Sequence, residues 1–206
     1  MKYLLILMVS FFIACNTTIT DQGFTNKAEA KNVMVNGVKE GKWLTYNYKF
    51  PLGILLRDTD SYTLTVYKDG VPYGIARSYY MNGKLMDEGT FVNGKLNGVD
   101  RSYYKNGVLR EEDPFIDNKY NGVVKTYFKN GLLQTETTYV NGVQNGIWRY
   151  YFDDGKLMDE ANYKDGKPIG VKKRYYDSGK LWEEITYVNG MEGETKEFDE
   201  NGNVIK

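Results

Sequence analysis

One stretch carries the repeating element of this chain: Asn141-Gly-Val-Gln-Asn-Gly-Ile-Trp-Arg-Tyr-Tyr-Phe-Asp-Asp-Gly-Lys-Leu-Met-Asp-Glu-Ala-Asn-Tyr163. It contains two dipeptides, Asn141-Gly142 and Asp154-Gly155, that are typical of tight β-hairpin turns. Both central residues of a type I′ turn need a positive φ, which Asn, Asp and Gly adopt most readily. The segments between the turns are rich in tyrosine and other residues that favour half-buried strands. The stretch therefore predicts two antiparallel strands.

This pattern recurs with a period of 24 residues. Its turn dipeptides are Asp69-Gly70, Asn93-Gly94, Asp117-Asn118, Asn141-Gly142, Asp165-Gly166 and Asn189-Gly190. Asn36-Gly37 starts an earlier unit with a nine-residue insertion at about residues 47–62. Units of a repeat protein contact only their neighbours. We therefore expect an all-β fold, an elongated single-sheet antiparallel meander of about seven hairpin repeats and fourteen strands over residues 34–206.

Two-residue turns fix the register of a hairpin, so its cross-strand partners can be predicted. One expected set places an aromatic residue opposite leucine and forms the packing stripe: Tyr80 with Leu85, Tyr104 with Leu109, Phe128 with Leu133, Phe152 with Leu157 and Tyr176 with Leu181. A second set places a base opposite an acid: Arg77 with Glu88, Arg101 with Glu112, Lys125 with Glu136, Arg149 with Glu160 and Lys173 with Glu184. The glycine spacing does not require this charge match, which therefore supports the register independently.

The amino terminus has the features of a lipoprotein signal. Residues from Tyr3 to Ala14 are almost wholly apolar and follow Lys2. Roughly a dozen apolar residues are too few for a bilayer core, which needs about 20, but they match a secretory signal. Ala14 precedes Cys15, the only cysteine of the chain. We expect a signal peptide at residues 1–14, lipidation of Cys15 and a polar tether at 15–33, with an uncleaved signal anchor as the alternative.

The composition excludes several classes of function. The chain has no histidine, so Ser-His, Cys-His and histidine-ligated metal sites are excluded. The 27 basic and 27 acidic residues leave no net charge, which argues against a nucleic-acid partner. The adjacent pairs Glu111-Glu112 and Glu183-Glu184 point to opposite faces of a strand and cannot converge as catalytic carboxylates. We expect no enzyme activity and no cofactor.

Metal binding is also not expected. The acidic segments at 58–60 and 199–203 resemble calcium loops, but each lacks the closing bidentate glutamate. Of the 22 glycines, only Gly23, Gly53 and Gly89 fall outside the three glycine positions of the repeat. Almost every glycine is thus explained by the repeat.

The candidate binding face carries a column of tyrosines with arginines beside them: Tyr79, Tyr103, Tyr127, Tyr151, Tyr175, Arg77, Arg101 and Arg149. Such a column can stack sugars or a peptide, although tyrosines also stabilise an exposed strand face through cross-strand pairs. The insertion contains the apolar run at residues 50–56. This run either folds back to cap the end of the sheet or docks a partner.

The repeat resembles the bacterial variant of the MORN repeat, the hairpin repeat of YwqK-type antitoxins and MORN-variant lipoproteins. The resemblance covers about residues 34–206 and rests on the unit at 141–163. It implies membrane-proximal scaffolding and protein or lipid contacts, with no catalytic residues in the repeat. Two features depart from it: the tryptophan favoured after Gly-x occurs only at Trp43 and Trp148, and a signal peptide is at odds with a cytoplasmic antitoxin.

We therefore expect a non-enzymatic envelope lipoprotein, periplasmic or on the outer surface, whose repeat sheet holds a protein or an envelope polymer near the membrane. One alternative is an antitoxin or immunity protein that neutralises a toxin. Another is a cell-wall glycan-binding module, although such modules usually place tryptophan in nearly every unit.

Overall fold

The computed structural model describes residues 23–47 and 61–206, which form one antiparallel sheet. Its strands are β1 Val33–Val35, β2 Val38–Asn47, β3 Ser61–Lys68, β4 Val71–Tyr80, β5 Leu85–Val92, β6 Lys95–Leu96, β7 Gly98–Tyr103, β8 Leu109–Ile116, β9 Lys119–Tyr120, β10 Gly122–Tyr127, β11 Leu133–Val140, β12 Val143–Tyr151, β13 Leu157–Lys164, β14 Lys167–Tyr175, β15 Leu181–Val188 and β16 Met191–Glu197. A short 3₁₀ helix, Lys27–Glu29, precedes them. Within these ranges, no helix has the length and apolar character that a bilayer span requires.

The strands follow one another as a meander, which confirms the predicted all-β fold. Consecutive strands pair along a path of fourteen, while the two-residue strands β6 and β9 pair only with β5 and β8. The predicted signal peptide and Cys15 lie outside the described residues, as do residues 48–60 of the predicted insertion and the acidic segment at 58–60. The predictions for these segments therefore stay predictions.

The Asn-Gly and Asp-Gly turns have the predicted two-residue form. Asn141 and Gly142 have φ values of 52° and 85°, and Val140 faces Val143 directly across them. The first residue of all seven such turns, from Asn36 to Asn189, has a φ between 49° and 52°. These left-handed values explain why Asn, Asp and Gly occupy the turns.

The second turn of each unit differs from the prediction, which assumed two residues. Gly83 donates its backbone N–H to the Tyr80 carbonyl at 2.8 Å, and the Tyr80 N–H donates to the Lys84 carbonyl at 2.9 Å. The loop therefore has three residues, Met81 to Gly83, and ends on a left-handed glycine with φ 84°. This is the common three-residue hairpin, a type I turn followed by a glycine bulge.

This longer loop makes the predicted aromatic–leucine pairing wrong. The register shifts between Ser78 and Tyr79, so that Leu85 faces Tyr79 rather than Tyr80. The same shift in the other units places leucine opposite the tyrosine column: Tyr103 with Leu109, Tyr127 with Leu133, Tyr151 with Leu157 and Tyr175 with Leu181. The leucines therefore join the candidate binding face and do not form the predicted packing stripe.

The base–acid register is confirmed and extends beyond single units. All five predicted pairs are directly opposite across the hairpins. Each glutamate also faces a base of the next unit, as Glu88 faces Arg101 and Glu136 faces Arg149. The result is one row of alternating charge from Arg77 to Lys196 across eleven strands: Arg77, Glu88, Arg101, Glu112, Lys125, Glu136, Arg149, Glu160, Lys173, Glu184 and Lys196.

Further hydrogen bonds join successive units at both rims of the sheet. At the two-residue turns, the Gly142 N–H donates to the Tyr120 carbonyl at 2.8 Å, one unit earlier. Near the opposite rim, the Tyr104 hydroxyl donates to the Tyr127 carbonyl at 2.7 Å, one unit later. Tyr80 and Tyr176 make the equivalent bond to the backbone of the following unit. Each unit is therefore held by its neighbours, as expected of a repeat protein.

A compact apolar core occurs only at the amino-terminal end of the described sheet. Leu64 is fully buried there beside Phe24, Tyr62 and Val66, and Ala30, Leu44 and Tyr79 pack around this cluster. The segment from Gly23 to the 3₁₀ helix Lys27–Glu29 covers these strands, and the Lys27 ammonium lies 3.6 Å from the centre of the Tyr62 ring. Part of the segment predicted as a tether thus covers this end of the sheet.

We expect Leu64→Ala to lower the free energy of unfolding by about 2–5 kcal/mol, because it leaves a cavity in this small core. Urea denaturation followed by circular dichroism measures the change. Val188→Ala removes the same type of contact from a side chain that is 60% exposed and should cost no more than about 0.5 kcal/mol. Equal losses in the two variants would contradict a core confined to the amino-terminal end.

Candidate functional site

Strand alternation gives the sheet two distinct faces. The ladder face carries the row of alternating charge from Arg77 to Lys196 and the tyrosine column beside it. The carboxylate face, on the opposite side, carries a second set of acidic residues: Asp87, Asp100, Glu111, Asp113, Asp159 and Glu183. Glu111 and Glu112 therefore lie on opposite faces, as predicted, and do not form a paired-carboxylate site.

The tyrosines of the ladder face bind glutamates of the preceding unit. The Tyr151 hydroxyl donates to Glu136 Oε1 at 2.8 Å, and the Tyr175 hydroxyl donates to Glu160 Oε1 at 3.2 Å. Arg149 bridges the same two glutamates, with Nη1 3.0 Å from Glu136 and Nε 3.5 Å from Glu160. The hydrogen bonds thus fix the orientation of these tyrosine side chains, which are half-buried.

The pKa values of the ladder face reflect this network. Burial and the hydrogen bond to Glu136 raise the pKa of Tyr151 to about 12. Burial alone would raise the pKa of Glu136, but hydrogen bonds from Tyr151 and Arg149, with the charges of Arg149 and Lys125, lower it. Both shifts favour a neutral tyrosine donating to an ionised glutamate. Tyr151, Glu136 and Arg149 of the ladder face therefore form a network in which each side chain has a partner.

Tyr79 and Arg77 do not share the environment of the other predicted site residues. Tyr79 stacks on Tyr62, with ring centroids 5.1 Å apart, and packs against the amino-terminal core. Gly23 lies against the backbone of Ile75 and the Arg77 guanidinium. The structure brings the remaining members together on the uncovered ladder face: Tyr103, Tyr127, Tyr151, Tyr175, Arg101 and Arg149.

A groove of about 340 Å³ opens on the carboxylate face between β3 and β7. Asp87 and Asp100 line it, together with the buried hydroxyl-bearing residues Thr65 and Ser78. Its apolar wall consists of Tyr67, Pro72, Ala76, Phe91 and Leu96. The groove therefore combines two carboxylates with an apolar lining.

The carboxylates beside this groove have raised pKa values. Burial, followed by the charges of Asp87 and Asp113, raises the pKa of Asp100 to about 6. Burial and the charge of Glu111 raise the pKa of Asp113 to about 6, although the Tyr120 hydroxyl and Arg110 act in the opposite direction. Burial also raises the pKa of Asp87, against hydrogen bonds from Ser78 and the charge of Arg110. The negative charges of Asp87, Asp100 and Asp113 are thus poorly compensated by nearby bases.

One carboxylate oxygen in this region has no hydrogen-bond partner. Asp113 is only 9% exposed, and its Oδ1 is buried without a donor. Asp113 lies directly opposite Asp100 on the neighbouring strand. Buried polar atoms are nearly always hydrogen-bonded, so an orphan oxygen next to a second carboxylate marks an unbalanced site.

Gly89 is the feature of the sequence that could have indicated this groove. It lies outside the glycine positions of the repeat, and an ideal Cβ there would be 2.3 Å from Asp100 Oδ1 and 2.8 Å from Leu96 Cδ2. Glycine therefore makes room for the Asp100 carboxylate. The repeat pattern alone does not connect Gly89 with Asp100, because that contact joins neighbouring units.

The acidic segment at 199–203 forms a turn. Asp199 accepts hydrogen bonds from the backbone N–H groups of Asn201 and Asn203 and from the Asn203 side chain. These bonds, those of Asn203 first, lower the pKa of Asp199. Within residues 23–47 and 61–206, no group of three or more acidic or cysteine side chains is placed to hold a metal ion.

A protein-family model with the description MORN repeat variant matches six segments of the chain, at residues 72–93, 96–117, 120–141, 144–165, 168–189 and 191–206. Together the segments span more than half of the 206 residues. Each of the first five ends on the first residue of a two-residue turn, in agreement with the strand boundaries. No curated protein matches the chain.

We expect Asp100→Asn to raise the free energy of unfolding at pH 7.5 and to give no such gain at pH 4.5. A carboxyl whose pKa is raised by folding, here to about 6, opposes folding while it is ionised. That cost decreases as the pH falls through 6 and vanishes near the ordinary aspartate pKa of about 3.9. Urea denaturation at the two pH values measures the difference between variant and wild type.

Asp199→Asn is the control, because hydrogen bonds lower the pKa of Asp199. It should weaken folding at pH 7.5, which is the opposite sign. A destabilised Asp100→Asn variant at pH 7.5 would contradict the charge imbalance on the carboxylate face.

Proposed function

Because the chain belongs to the MORN repeat variant family, we propose that it is a non-enzymatic scaffold, anchored to the cell envelope as a lipoprotein, whose sheet binds a protein partner. The observation that carries this proposal is the single-layer sheet. In the described part of the chain, only seven hydrophobic residues are buried, and four of them form the amino-terminal core. Most of a long, regular surface is therefore available for contact.

The ladder face supports a binding role because its side chains are fixed in advance. Tyr127, Tyr151 and Tyr175 are each hydrogen-bonded through the hydroxyl to a glutamate one unit earlier. A partner that stacks on these rings would not have to restrict their rotation, which lowers the entropic cost of binding. Tyrosine presents a large, rigid contact area, and it is enriched in protein interfaces for that reason.

The lipid anchor is the sequence-based part of the proposal. Its support is the apolar segment at 3–14, the single cysteine at position 15 and the polar residues that follow. Acylation of Cys15 would hold the sheet close to a membrane, since two or more acyl chains give stable anchoring. The balanced charge of the chain is consistent with a protein or polymer partner rather than a nucleic acid.

The test of the ladder face is crosslinking of the full chain in cells, followed by mass spectrometry. We expect a recurrent crosslinked protein that is lost when Tyr103, Tyr127 and Tyr151 are all changed to Ser, because the stacking surface is removed. Changing the same three residues to Phe keeps the rings and should retain most of the partner.

The matched control alters three exposed valines at the turn rim, Val140, Val143 and Val188, to Ser. Thermal unfolding of each variant verifies that the sheet remains folded. An unchanged set of crosslinked proteins after the Tyr→Ser changes would refute the ladder face as the binding surface.

For the anchor, we expect labelled palmitate to be incorporated by the wild-type chain and lost in Cys15→Ser. Asn16→Ser, next to the cysteine, should incorporate the label normally. Fractionation of the same cells should move the Cys15→Ser chain out of the membrane fraction. Label that persists in Cys15→Ser would disprove acylation at this residue.

A further inference from the structure

The groove between β3 and β7 lies in a region with more acid than base. Asp87, Asp100, Glu111 and Asp113 approach one another on the carboxylate face, while Arg110 is the base whose charge reaches Asp87 and Asp113. Arg110 itself lies 3.6 Å from Glu111 and donates to Ser102 at 3.2 Å. Among the ion pairs of the described ranges, none involves Asp87, Asp100 or Asp113.

Later units provide an internal comparison for this region. Asp159 is the equivalent of Asp87, three repeat periods along the chain. Its Oδ1 lies 3.0 Å from Arg174 Nε and 3.5 Å from Lys172 Nζ, both on the neighbouring strand. Thus, at the same carboxylate position in a later unit, the groups that pair with the carboxylate are the side chains of a lysine and an arginine.

The two bases that compensate Asp159 are replaced in the earlier unit. Lys172 corresponds to Asp100, and Arg174 corresponds to Ser102. Asp87 faces Ser102 between β5 and β7, as Asp159 faces Arg174 between the equivalent strands β13 and β14. The earlier unit therefore keeps the carboxylate, loses both cations and gains a second carboxylate at the position of one of them.

We propose that the groove between β3 and β7 is a binding site for a lysine or arginine side chain of a protein partner, with Asp87 and Asp100 as its charge-bearing ligands. The inference rests on the proposed scaffold function and assigns a partner chemistry to it. The chemistry of the occupant follows from the comparison within the chain, because lysine and arginine fill the equivalent place beside Asp159.

The shape of the groove suits such a side chain. Lysine and arginine have long aliphatic stems that pack on apolar surface while the charged end meets a carboxylate. Tyr67, Pro72, Phe91 and Leu96 line the groove, and their surfaces can cover the stem. At the charged end, Gly89 leaves the space that the Asp100 carboxylate occupies. The buried, unpartnered Oδ1 of Asp113, opposite Asp100, adds negative potential behind the site.

Binding of the cation would relieve the repulsion among these carboxylates. Burial and the charges of four carboxylates raise the pKa of Asp100 to about 6: Asp87, Asp113, Glu111 and Glu88. Asp113 in turn accepts a hydrogen bond from Tyr120 and lies within reach of the charge of Arg110. A bound ammonium or guanidinium favours the ionised carboxylates and should lower both pKa values. Binding should therefore weaken as the pH falls below 6.

The probe is the peptide acetyl-Gly-Gly-Lys-Gly-Gly-amide, titrated into the full chain in nonionic detergent and observed through the carboxyl ¹³C signals of labelled aspartates. At pH 7.5 we expect shifts at Asp87 and Asp100 and a lower apparent pKa of Asp100. The same peptide with an acetylated lysine should give no shifts, because it lacks the charge. Loss of one charge-assisted hydrogen bond in Asp100→Asn should weaken binding about tenfold.

Asp153→Asn is the matched control, since it removes one negative charge from an exposed turn residue outside the groove. It should leave the affinity unchanged. Equal binding of the acetylated peptide, or equal losses in Asp100→Asn and Asp153→Asn, would overturn the site. Spermine distinguishes the source of the cation: binding of spermine without binding of the lysine peptide would assign the groove to a free polyamine and overturn a protein partner.

Asp100→Lys provides a second variant that gains stability if the inference holds. It places a lysine where Lys172 stands in the later unit, so it should raise the melting temperature and abolish peptide binding. A lower melting temperature of Asp100→Lys, or retained binding of the peptide, would contradict a cation-binding site beside Asp87. The crosslinking experiment distinguishes failure of this site from failure of the scaffold function. If the wild-type chain keeps a cellular partner but does not bind the peptide, only the cation site is refuted. If it binds the peptide but has no cellular partner, the scaffold function is refuted.

Discussion

The left-handed backbone of the two-residue turns is the constraint on which the rest of the structure depends. At each of these turns the first residue has a φ between 49° and 52°, which restricts it to Asn or Asp in this chain. Because each turn fixes which residues face each other, these turns and the three-residue loops between them set the register from β3 to β16. The continuous charge row from Arg77 to Lys196 follows from that register.

With the register set, the two faces acquire opposite character. On the ladder face every acid has a base or a tyrosine hydroxyl nearby, as Glu136 has Arg149 and Tyr151. On the carboxylate face the compensation changes along the chain, from Asp159 with two bases to Asp113 with an unpartnered oxygen. A regular backbone thus carries one face that stabilises the fold and another whose charge varies from unit to unit.

The difference between the predicted and the observed aromatic–leucine pairing has a local physical cause. Gly83 and its equivalents are compatible with a two-residue or a three-residue loop, because both need a glycine at positive φ. The longer loop moved Leu85 opposite Tyr79 yet left Arg77 opposite Glu88, since the extra residue is absorbed between them. The base–acid prediction was therefore right and the aromatic–leucine prediction was wrong within the same hairpin.

The sequence by itself determined the repeat, the two-residue turns, the meander and the five base–acid pairs within the hairpins, since these depend on spacing within one unit or between adjacent turns. The three-residue loops and the continuation of the charge row between units were seen only in the structure. Only the tertiary structure revealed that Phe24 enters a core with Leu64 and that Asp100 lies beside Gly89 and Asp113. These features arise from burial and from contacts between units, where a side chain's neighbours come from three strands at once. The energies of such contacts depend on face, depth and distance, which the order of residues does not contain.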